Sequence, residues 1–320
     1  MSDDNENPFE AAPQGPRRIR PRSKTGLNRD EIKNKTGGNY IFTFGYPGSG
    51  KTTFQWMLMN YLLNEGPFHA EIKIPDRENG PDWEVRNISN NWKTQWIEGR
   101  FPDPNASAES DIREVQVQAQ TIAGKSLSVE FSFLEASGEL MKNVMPESGM
   151  APDFSPLLST YLENHRLKFC VVLMLSPDVE ENDQLFASFM AYIRKNFPGL
   201  RERMAIAVVV SKPDESLKRL QTFGTPDGRT AYDKLNAEAL VGSLNRSCPE
   251  TFTIWQTWPD EKRTLLAPLR IGEIEAIEGE PRLLTPNFTD IEGIFYWLFE
   301  QFTGKRPGPT LMQRLLGKAD

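Results

Sequence analysis

Two patterns of hydrophobic and polar residues alternate along most of this chain, one typical of buried strands and the other typical of amphipathic helices. Short apolar runs predict buried strands, and apolar residues spaced three and four positions apart predict amphipathic helices. Strands are predicted at residues 40–44, 167–175, 204–210 and 252–255. Helices are predicted at residues 54–62, 157–164, 183–196, 230–244 and 290–301, the last capped by Asp290. Strands that alternate with helices indicate a mostly parallel sheet covered on both faces.

Two segments of period two lie between the first and second of these strands. Residues 115–120 alternate valine or alanine with glutamine, and residues 127–133 alternate leucine, valine and phenylalanine with serine and glutamate. Only residues 122–126 separate them, so we predict an antiparallel hairpin, because a parallel pair needs a crossover of about a dozen residues. The predicted fold class is α/β, a three-layer α/β/α sandwich whose mostly parallel sheet has one antiparallel edge strand.

We interpret the chain as a disordered Pro/Arg-rich tail (1–36), one domain (37–302) and a C-terminal tail (303–320). Two insertions interrupt the domain, a polar one at 64–112 and a small β insertion at 265–284. The first contains an amphipathic helix from Trp83 to Trp96 that ends at Gly99. Its tryptophans 92 and 96 are predicted to pack the helix rather than to stack on a base.

A glycine-rich motif joins the first predicted strand to the first predicted helix. The pattern G-x-x-x-x-G-K-T occupies residues 45–52. Glycines let the backbone wrap around phosphate oxygens, and N–H groups at a helix N-terminus favour an anion. This is the pattern of a phosphate-binding P-loop, so we expect a P-loop NTPase fold and a bound nucleoside triphosphate, with Lys51 between the β- and γ-phosphates and Thr52 on Mg²⁺. The predicted nucleotide-binding residues here are Gly45, Tyr46, Pro47, Gly48, Ser49, Gly50, Lys51, Thr52 and Thr53.

Composition excludes several other classes of function. The net charge of −7 over 320 residues argues against general nucleic-acid binding. A basic cluster from Arg17 to Lys24 is either a solvated, solubilising tail or a contact for phosphate, acidic protein or membrane. No apolar run reaches transmembrane length. Two cysteines and two histidines argue against a disulfide framework and a zinc site, and we expect a cytoplasmic protein.

Two later segments narrow the class of nucleotide-binding protein. Leu134-Glu135-Ala136-Ser137-Gly138-Glu139 follows the predicted hairpin, and Ser211-Lys212-Pro213-Asp214 follows the strand at 204–210. Over residues 38–302 the chain resembles the translation-factor-related class of P-loop GTPases, which includes Ras-like and elongation-factor-like proteins. That class carries D-x-x-G after its third strand and [NT]-K-x-D after its fifth, and counterparts of both stand here in that order.

The resemblance implies how the base is recognised. Asp214 accepts two hydrogen bonds from guanine, and adenine offers no such pair of donors. Lys212 lays its stem along the base plane, and Ser211 stands where the class has Asn or Thr. The alternative without a function is that residues 211–214, S-K-P-D, form only a turn after a strand.

The resemblance also implies a phosphate and metal site. Gly138 gives its backbone N–H to the γ-phosphate, and Glu135, in place of the usual Asp, reaches Mg²⁺ through a bound water. The class also has a Thr or Ser ligand of Mg²⁺ in a loop, switch I, just before the first hairpin strand. We expect Ser107 to be that ligand, with Ser110 as the alternative; a third possibility is that neither binds the metal.

Two departures from the class imply slow hydrolysis by a catalytic set of Lys51, Gly138 and Glu139. Glu139 stands where Ras-like members use a Gln to orient water, and an ionised carboxylate cannot donate a hydrogen bond. Pro47 adds bulk where a catalytic arginine would approach the γ-phosphate.

Weaker motifs, at residues 92–104 and 283–287, resemble the bacterial "double-GTPase" group of conflict-system proteins. We therefore expect a GTP/GDP-binding molecular switch with Mg²⁺ as cofactor, slow hydrolysis, and a protein effector or conflict-system partner. One alternative is a guanine-nucleotide-binding scaffold without hydrolysis. The other is an ATP-dependent kinase or ATPase, for which the sequence shows no recognisable Walker B acidic pair.

Overall fold

Strands and helices alternate through the computed structural model, which describes residues 29–74, 76–77, 80–81, 83–102, 112–122, 126–135, 155–176, 179, 181–211 and 237–307. The strands are β1 Gly38–Phe44, β2 Phe68–Lys73, β3 Asp76–Arg77, β4 Gly80–Pro81, β5 Arg113–Thr121, β6 Ser128–Glu135, β7 Leu167–Leu175, β8 Met204–Ser211, β9 Thr264–Leu269, β10 Gly272–Ile277 and β11 Glu280–Pro286. The α-helices are α1 Arg29–Asn34, α2 Lys51–Asn60, α3 Trp83–Ile97, α4 Pro156–Glu163, α5 Glu181–Asn196, α6 Leu200–Arg203, α7 Ala237–Ser247, α8 Pro249–Gln256 and α9 Thr289–Thr303. A π-helical turn, Tyr61–Glu65, extends α2, and a 3₁₀ turn, Glu261–Arg263, precedes β9.

Seven strands form one sheet in the order β2-β5-β6-β1-β7-β8-β9. Strands β6, β1, β7, β8 and β9 are parallel to one another, so their carboxyl ends lie along one edge. Strand β5 is antiparallel to both of its neighbours. The predicted α/β class, the mostly parallel sheet and the antiparallel hairpin of β5 and β6 are therefore confirmed.

The antiparallel edge of the sheet contains one strand more than predicted. Strand β2 lies outside β5 and pairs with it from Phe68 beside Thr121 to Lys73 beside Gln116. The sequence pattern places residues 68–73 in a polar insertion, because half of them are polar. They become a strand where β5 presents an unpaired edge, since backbone N–H and C=O groups then find partners.

Within the described residues the core consists of two clusters, one on each face of the sheet. Neighbouring residues of β1 divide between them, Ile41 in the first cluster and Phe42 in the second. Helices α2, α3 and α9 contribute to the first cluster, and α1, α4, α5 and α6 to the second. Helices thus cover both faces, which is compatible with a three-layer α/β/α sandwich.

The predicted strand at 252–255 is instead part of α8. Aromatic and β-branched residues favour a strand there, but the helix starts at Pro249, whose fixed φ suits the first helical position. The carboxylate of Asp183 accepts hydrogen bonds from the Glu250 and Thr251 N–H groups at 3.1 and 2.7 Å. A side chain of α5 therefore accepts hydrogen bonds from N–H groups in the first turn of α8 that have no partner within the helix. The next strand of the sheet is β9, which lies partly in the segment predicted as a small β insertion.

The N-terminus of α9 is also organised differently from the prediction. Its N-cap is Phe288, with no side-chain capping bond. Asp290 is occupied elsewhere, because its carboxylate accepts hydrogen bonds at 2.8 Å from both the backbone N–H and Nε of Arg270. The side chain predicted to cap the helix instead ties α9 to the turn after β9.

Two further segments bear on the predicted organisation. Within the segment assigned to a disordered tail, Arg29–Asn34 forms α1, and its Ile32 is fully buried. The described part of the first insertion contains α3 as predicted, and Trp92 and Trp96 pack it: Trp92 is 7% exposed, and the Trp96 and Trp56 rings are 5.0 Å apart. None of the described helices combines the length and hydropathy that a membrane span requires.

Candidate functional site

The loop at residues 45–50 connects β1 to α2 at the edge of the sheet where the parallel strands end. Ligands of open α/β sheets bind at this edge, outside the carboxyl ends of the strands. Strand β1 is central in the sheet, with β6 on one side and β7 on the other. The loop therefore has the ends of two neighbouring strands beside it.

Glycines decide the path of this loop. Gly48 has a φ of +81° and Gly50 a φ of +89°, a left-handed conformation that side chains disfavour. Gly45 is held for another reason: a Cβ there would lie 2.5 Å from Ser49 Oγ and 2.8 Å from the carbonyl oxygen of Met174. Backbone conformation thus requires glycine at positions 48 and 50, and the close approach of neighbouring atoms requires it at position 45.

The side chain of Lys51 turns back over the loop. Its Nζ donates hydrogen bonds to the carbonyl oxygens of Gly45 and Tyr46, at 2.8 and 2.9 Å. The loop is also closed on itself by a bond from the Ser49 N–H to the Tyr46 oxygen, at 3.2 Å. A positive charge is therefore fixed beside the start of a helix.

Several backbone donors at this helix start remain open. Among the described residues, no acceptor bonds the N–H groups of Gly48, Gly50, Thr52 or Thr53. The first N–H groups of a helix have no intrahelical partner, and they carry the positive end of the helix dipole. Thr52 adds a partly exposed hydroxyl in the same turn. The arrangement can accept an anion with several oxygens, and a cation bound to that anion can reach Thr52.

Sequence reasoning missed one residue that holds the loop. Asn182, fully buried in the first turn of α5, accepts a hydrogen bond from the Tyr46 N–H at 3.1 Å. Its own amide nitrogen lies 3.5 Å from the Ser176 oxygen, just beyond β7. The only signal in the sequence is a polar residue at the start of a predicted helix, which does not identify its partner.

The end of β8 reaches the same loop. Ser211 is buried, its Oγ donates to the Leu175 oxygen at 3.0 Å, and its Cβ lies 3.3 Å from where a Cβ on Gly50 would stand. The structure thus brings Ser211 together with the glycine-rich loop. Lys212 and Asp214, which follow it, lie outside the described residues.

The remaining predicted site residues are only partly described. Glu135 ends β6, the strand beside β1, and its backbone pairs with Arg113. Gly138, Glu139, Ser107 and Ser110 lie outside the described residues, as does the basic cluster from Arg17 to Lys24.

The two cysteines do not offer a nucleophile. Burial raises the pKa of the Cys170 thiol far above its usual range. Burial, and then the nearby Asp183 carboxylate, raises the pKa of Cys248 to about 12. Both are protonated thiols at neutral pH, and the thiolate is the reactive form.

Comparisons with known proteins leave the family open. No protein-family model matches the chain, and no curated protein matches it.

Proposed function

We propose that this chain binds GTP together with Mg²⁺ through residues 45–53 and acts as a molecular switch with slow hydrolysis. The observation that carries the proposal is the helix start at Lys51, where open N–H groups and a fixed ammonium converge. Phosphate oxygens are acceptors for such donors, and their negative charge matches both the ammonium and the helix dipole.

Selection of guanine over adenine rests on the segment after β8. Ser211 packs against Gly50, so the chain leaves β8 next to the glycine-rich loop. Three residues later Asp214 can reach the base of a nucleotide whose phosphates occupy that loop. Its carboxylate then accepts hydrogen bonds from guanine N1–H and the exocyclic amine, as the resemblance to the GTPase class implies.

The position of β6 supports a second contact with the phosphates. Strand β6 is parallel to β1 and beside it, and it ends at Glu135. The E-x-x-G segment therefore starts next to the loop, where Gly138 can donate to a γ-phosphate and Glu135 can hold Mg²⁺ through water. In a nucleotide switch, contacts with the γ-phosphate of GTP order such a segment, and hydrolysis releases it.

Competition between nucleotides tests the proposal directly. Fluorescent GTP is displaced by unlabelled GTP and GDP, and ATP displaces it at least about a hundredfold less well. Asp214→Ala removes that preference without unfolding the protein, and Lys195→Ala, an exposed lysine of α5, is the matched control that changes neither. Equal displacement by ATP would assign the chain to the ATP-using alternative.

Hydrolysis needs a separate measurement. Pro47 lies in the turn of the loop and is partly exposed. The resemblance to the GTPase class implies that its ring adds bulk beside the γ-phosphate. We expect single-turnover release of phosphate from GTP to be Mg²⁺-dependent and slow, on the order of the intrinsic GTPases at 10⁻⁴ s⁻¹. GTP bound and recovered unchanged would favour the non-hydrolysing scaffold.

The insertion at 64–112 is the proposed surface for a protein effector, or for a conflict-system partner, in the cytoplasm. Its helix α3 packs on α2 through Trp56, whose Nε1 donates to the Trp92 oxygen at 3.1 Å. A partner on α3 would thus bear on the helix that begins at Lys51.

A further inference from the structure

A cleft of about 440 Å³ lies between α5 and α8, and no residue of the glycine-rich loop lines it. Met190, Ala191 and Ile254 form an apolar part of its lining, called the aliphatic floor below. Two arginines, Arg194 and Arg201, line it as well. Nothing in the function proposed above uses this cleft. Its chemistry is that of a site for an anionic segment with an apolar side chain.

The two arginines differ in how they are held. Arg201 is fixed, because its Nη2 donates to the Thr257 oxygen at 2.7 Å and its guanidinium lies 4.9 Å from the centre of the Trp258 ring. Its Nε is buried with no hydrogen-bond partner among the described residues. Arg194 is exposed and forms no ion pair with any described residue. The cleft therefore combines a preorganised cation, Arg201, with a second cation, Arg194, that can pair with an acidic ligand.

The same chain contains a segment of matching chemistry. Residues 1–10, M-S-D-D-N-E-N-P-F-E, carry four acidic residues, no basic residue and a single phenylalanine. The first basic residue is Arg17. The carboxylates suit the arginines, and the ring of Phe9 suits the aliphatic floor. Glu250, which also lines the cleft, disfavours acidic groups at its own position and so orients them toward the arginines.

Length and position allow this segment to reach the cleft. The described chain begins at α1, which packs against α4 and belongs to the same core cluster as α5. The cleft and Arg29 therefore lie on one side of the sheet. The 19 residues between Phe9 and Arg29 span up to about 65 Å when extended, about three times the radius of gyration expected for a domain of this size. Tethering also raises the effective concentration, so a modest intrinsic affinity suffices.

We propose that the acidic N-terminal segment, residues 3–10, docks in the α5–α8 cleft, with its carboxylates on Arg194 and Arg201 and Phe9 on the aliphatic floor. This contact does not depend on nucleotide binding.

A labelled peptide of residues 1–12 tests the proposal on the full chain. The recipient carries Asp3→Asn, Asp4→Asn, Glu6→Gln, Phe9→Ala and Glu10→Gln, so that its own segment no longer competes. We expect saturable binding that weakens with salt, and wild-type chain should bind the peptide about tenfold less tightly because its cleft is already occupied.

Charge reversal identifies the cleft. In the same recipient, Arg194→Glu should weaken peptide binding by about tenfold or more. Lys195→Glu, the neighbouring residue of α5 that does not line the cleft, should leave it within about twofold. Thermal melting confirms that both variants fold, which is expected because Arg194 has no described partner to lose.

Two results would overturn the proposal: the peptide fails to bind the recipient, or Lys195→Glu weakens binding as much as Arg194→Glu. If the peptide does not bind and the chain self-associates in sedimentation, with Arg194→Glu abolishing that association, the cleft takes a second copy of the chain.

Discussion

Two polar regions of this molecule contrast with each other: the loop at 45–50 and the cluster around Glu114 in β5. The Glu114 carboxylate accepts hydrogen bonds from Lys35 Nζ at 2.9 Å, Ser132 Oγ at 2.8 Å and Tyr161 Oη at 2.6 Å. Its side chain is 11% exposed, and burial followed by the Glu114 charge raises the pKa of Tyr40 far above its usual range. By contrast, the loop leaves backbone donors open among the described residues.

The difference in hydrogen bonding separates a region that supports the fold from a region that can bind a ligand. A part-buried carboxylate surrounded by donors holds elements together, and here it ties α4 and the segment after α1 to the sheet. A helix start that keeps several N–H groups open, next to a fixed lysine, has capacity for a ligand. Variants of the first region should therefore change stability, and variants of the second should change binding.

The largest effect on stability is expected from Glu114→Ala. It leaves Lys35 and two hydroxyl groups without their shared acceptor, at a cost of about 3 kcal/mol in the free energy of unfolding. Urea unfolding measures the loss. Nucleotide affinity at a temperature where the variant is folded should stay within about twofold of wild type. A large loss of affinity with unchanged stability would break the contrast between the two regions.

Lys51→Ala should show the opposite behaviour. Its ammonium bonds two carbonyls of a partly exposed loop, so its removal should change the free energy of unfolding by about 1 kcal/mol or less. Affinity for GTP should fall by about a hundredfold or more, because the charge beside the phosphates is lost. Calorimetry measures the affinity and urea unfolding the stability. GTP affinity equal to that of wild type would remove the basis of the proposed function.

Gly50→Ala separates strain from ligand binding. Left-handed φ at an alanine costs about 1 to 2 kcal/mol. Gly199, with a φ of +84° and open space around its Cα, is a matched control for that strain. Gly199→Ala should destabilise the fold similarly and leave GTP affinity unchanged, whereas Gly50→Ala should lower both. Equal GTP affinity in the two variants would show that the conformation of the loop does not matter for binding.

Asn182→Ala should have a smaller effect on GTP affinity than the variants of Lys51 and Gly50. It removes the acceptor of the Tyr46 N–H in a buried position, which costs about 1 to 3 kcal/mol in stability. Because the bond holds one end of the loop, GTP affinity should also fall, by about tenfold or less. Asn182→Asp keeps the acceptor oxygen and should recover part of the affinity. Wild-type GTP affinity in Asn182→Ala would indicate that Asn182 serves the core alone.

The smallest effect concerns Cys248. With a native pKa of about 12, its thiol stays protonated while the thiol of the unfolded chain ionises near its ordinary value of 9.0. The raised pKa therefore contributes stability below about pH 9 that is lost as the pH rises above it. Alkylation by iodoacetamide at about pH 8 should be much slower in the folded protein than in urea. Comparable rates in the two states would contradict the raised pKa.

Particular elements show how much could be predicted. The strands at 40–44, 167–175 and 204–210, the hairpin and the helix at 83–96 have strong local periodicity, and the structure contains all of them. Strand β2 and helix α8 were missed because each depends on a distant partner. The edge of β5 makes residues 68–73 a strand, and Asp183 supplies acceptors to the start of α8.

By itself, the sequence determined the α/β class and the residues of the glycine-rich loop, since periodicity and glycine conformation are local properties of the chain. Tertiary structure decided the order of the strands, the buried acceptor that Asn182 offers to Tyr46, the approach of Ser211 to Gly50, and the donors around Glu114. These arise between residues far apart in the chain, because the packing of helices onto the sheet, rather than local propensity, brings such groups within hydrogen-bonding distance.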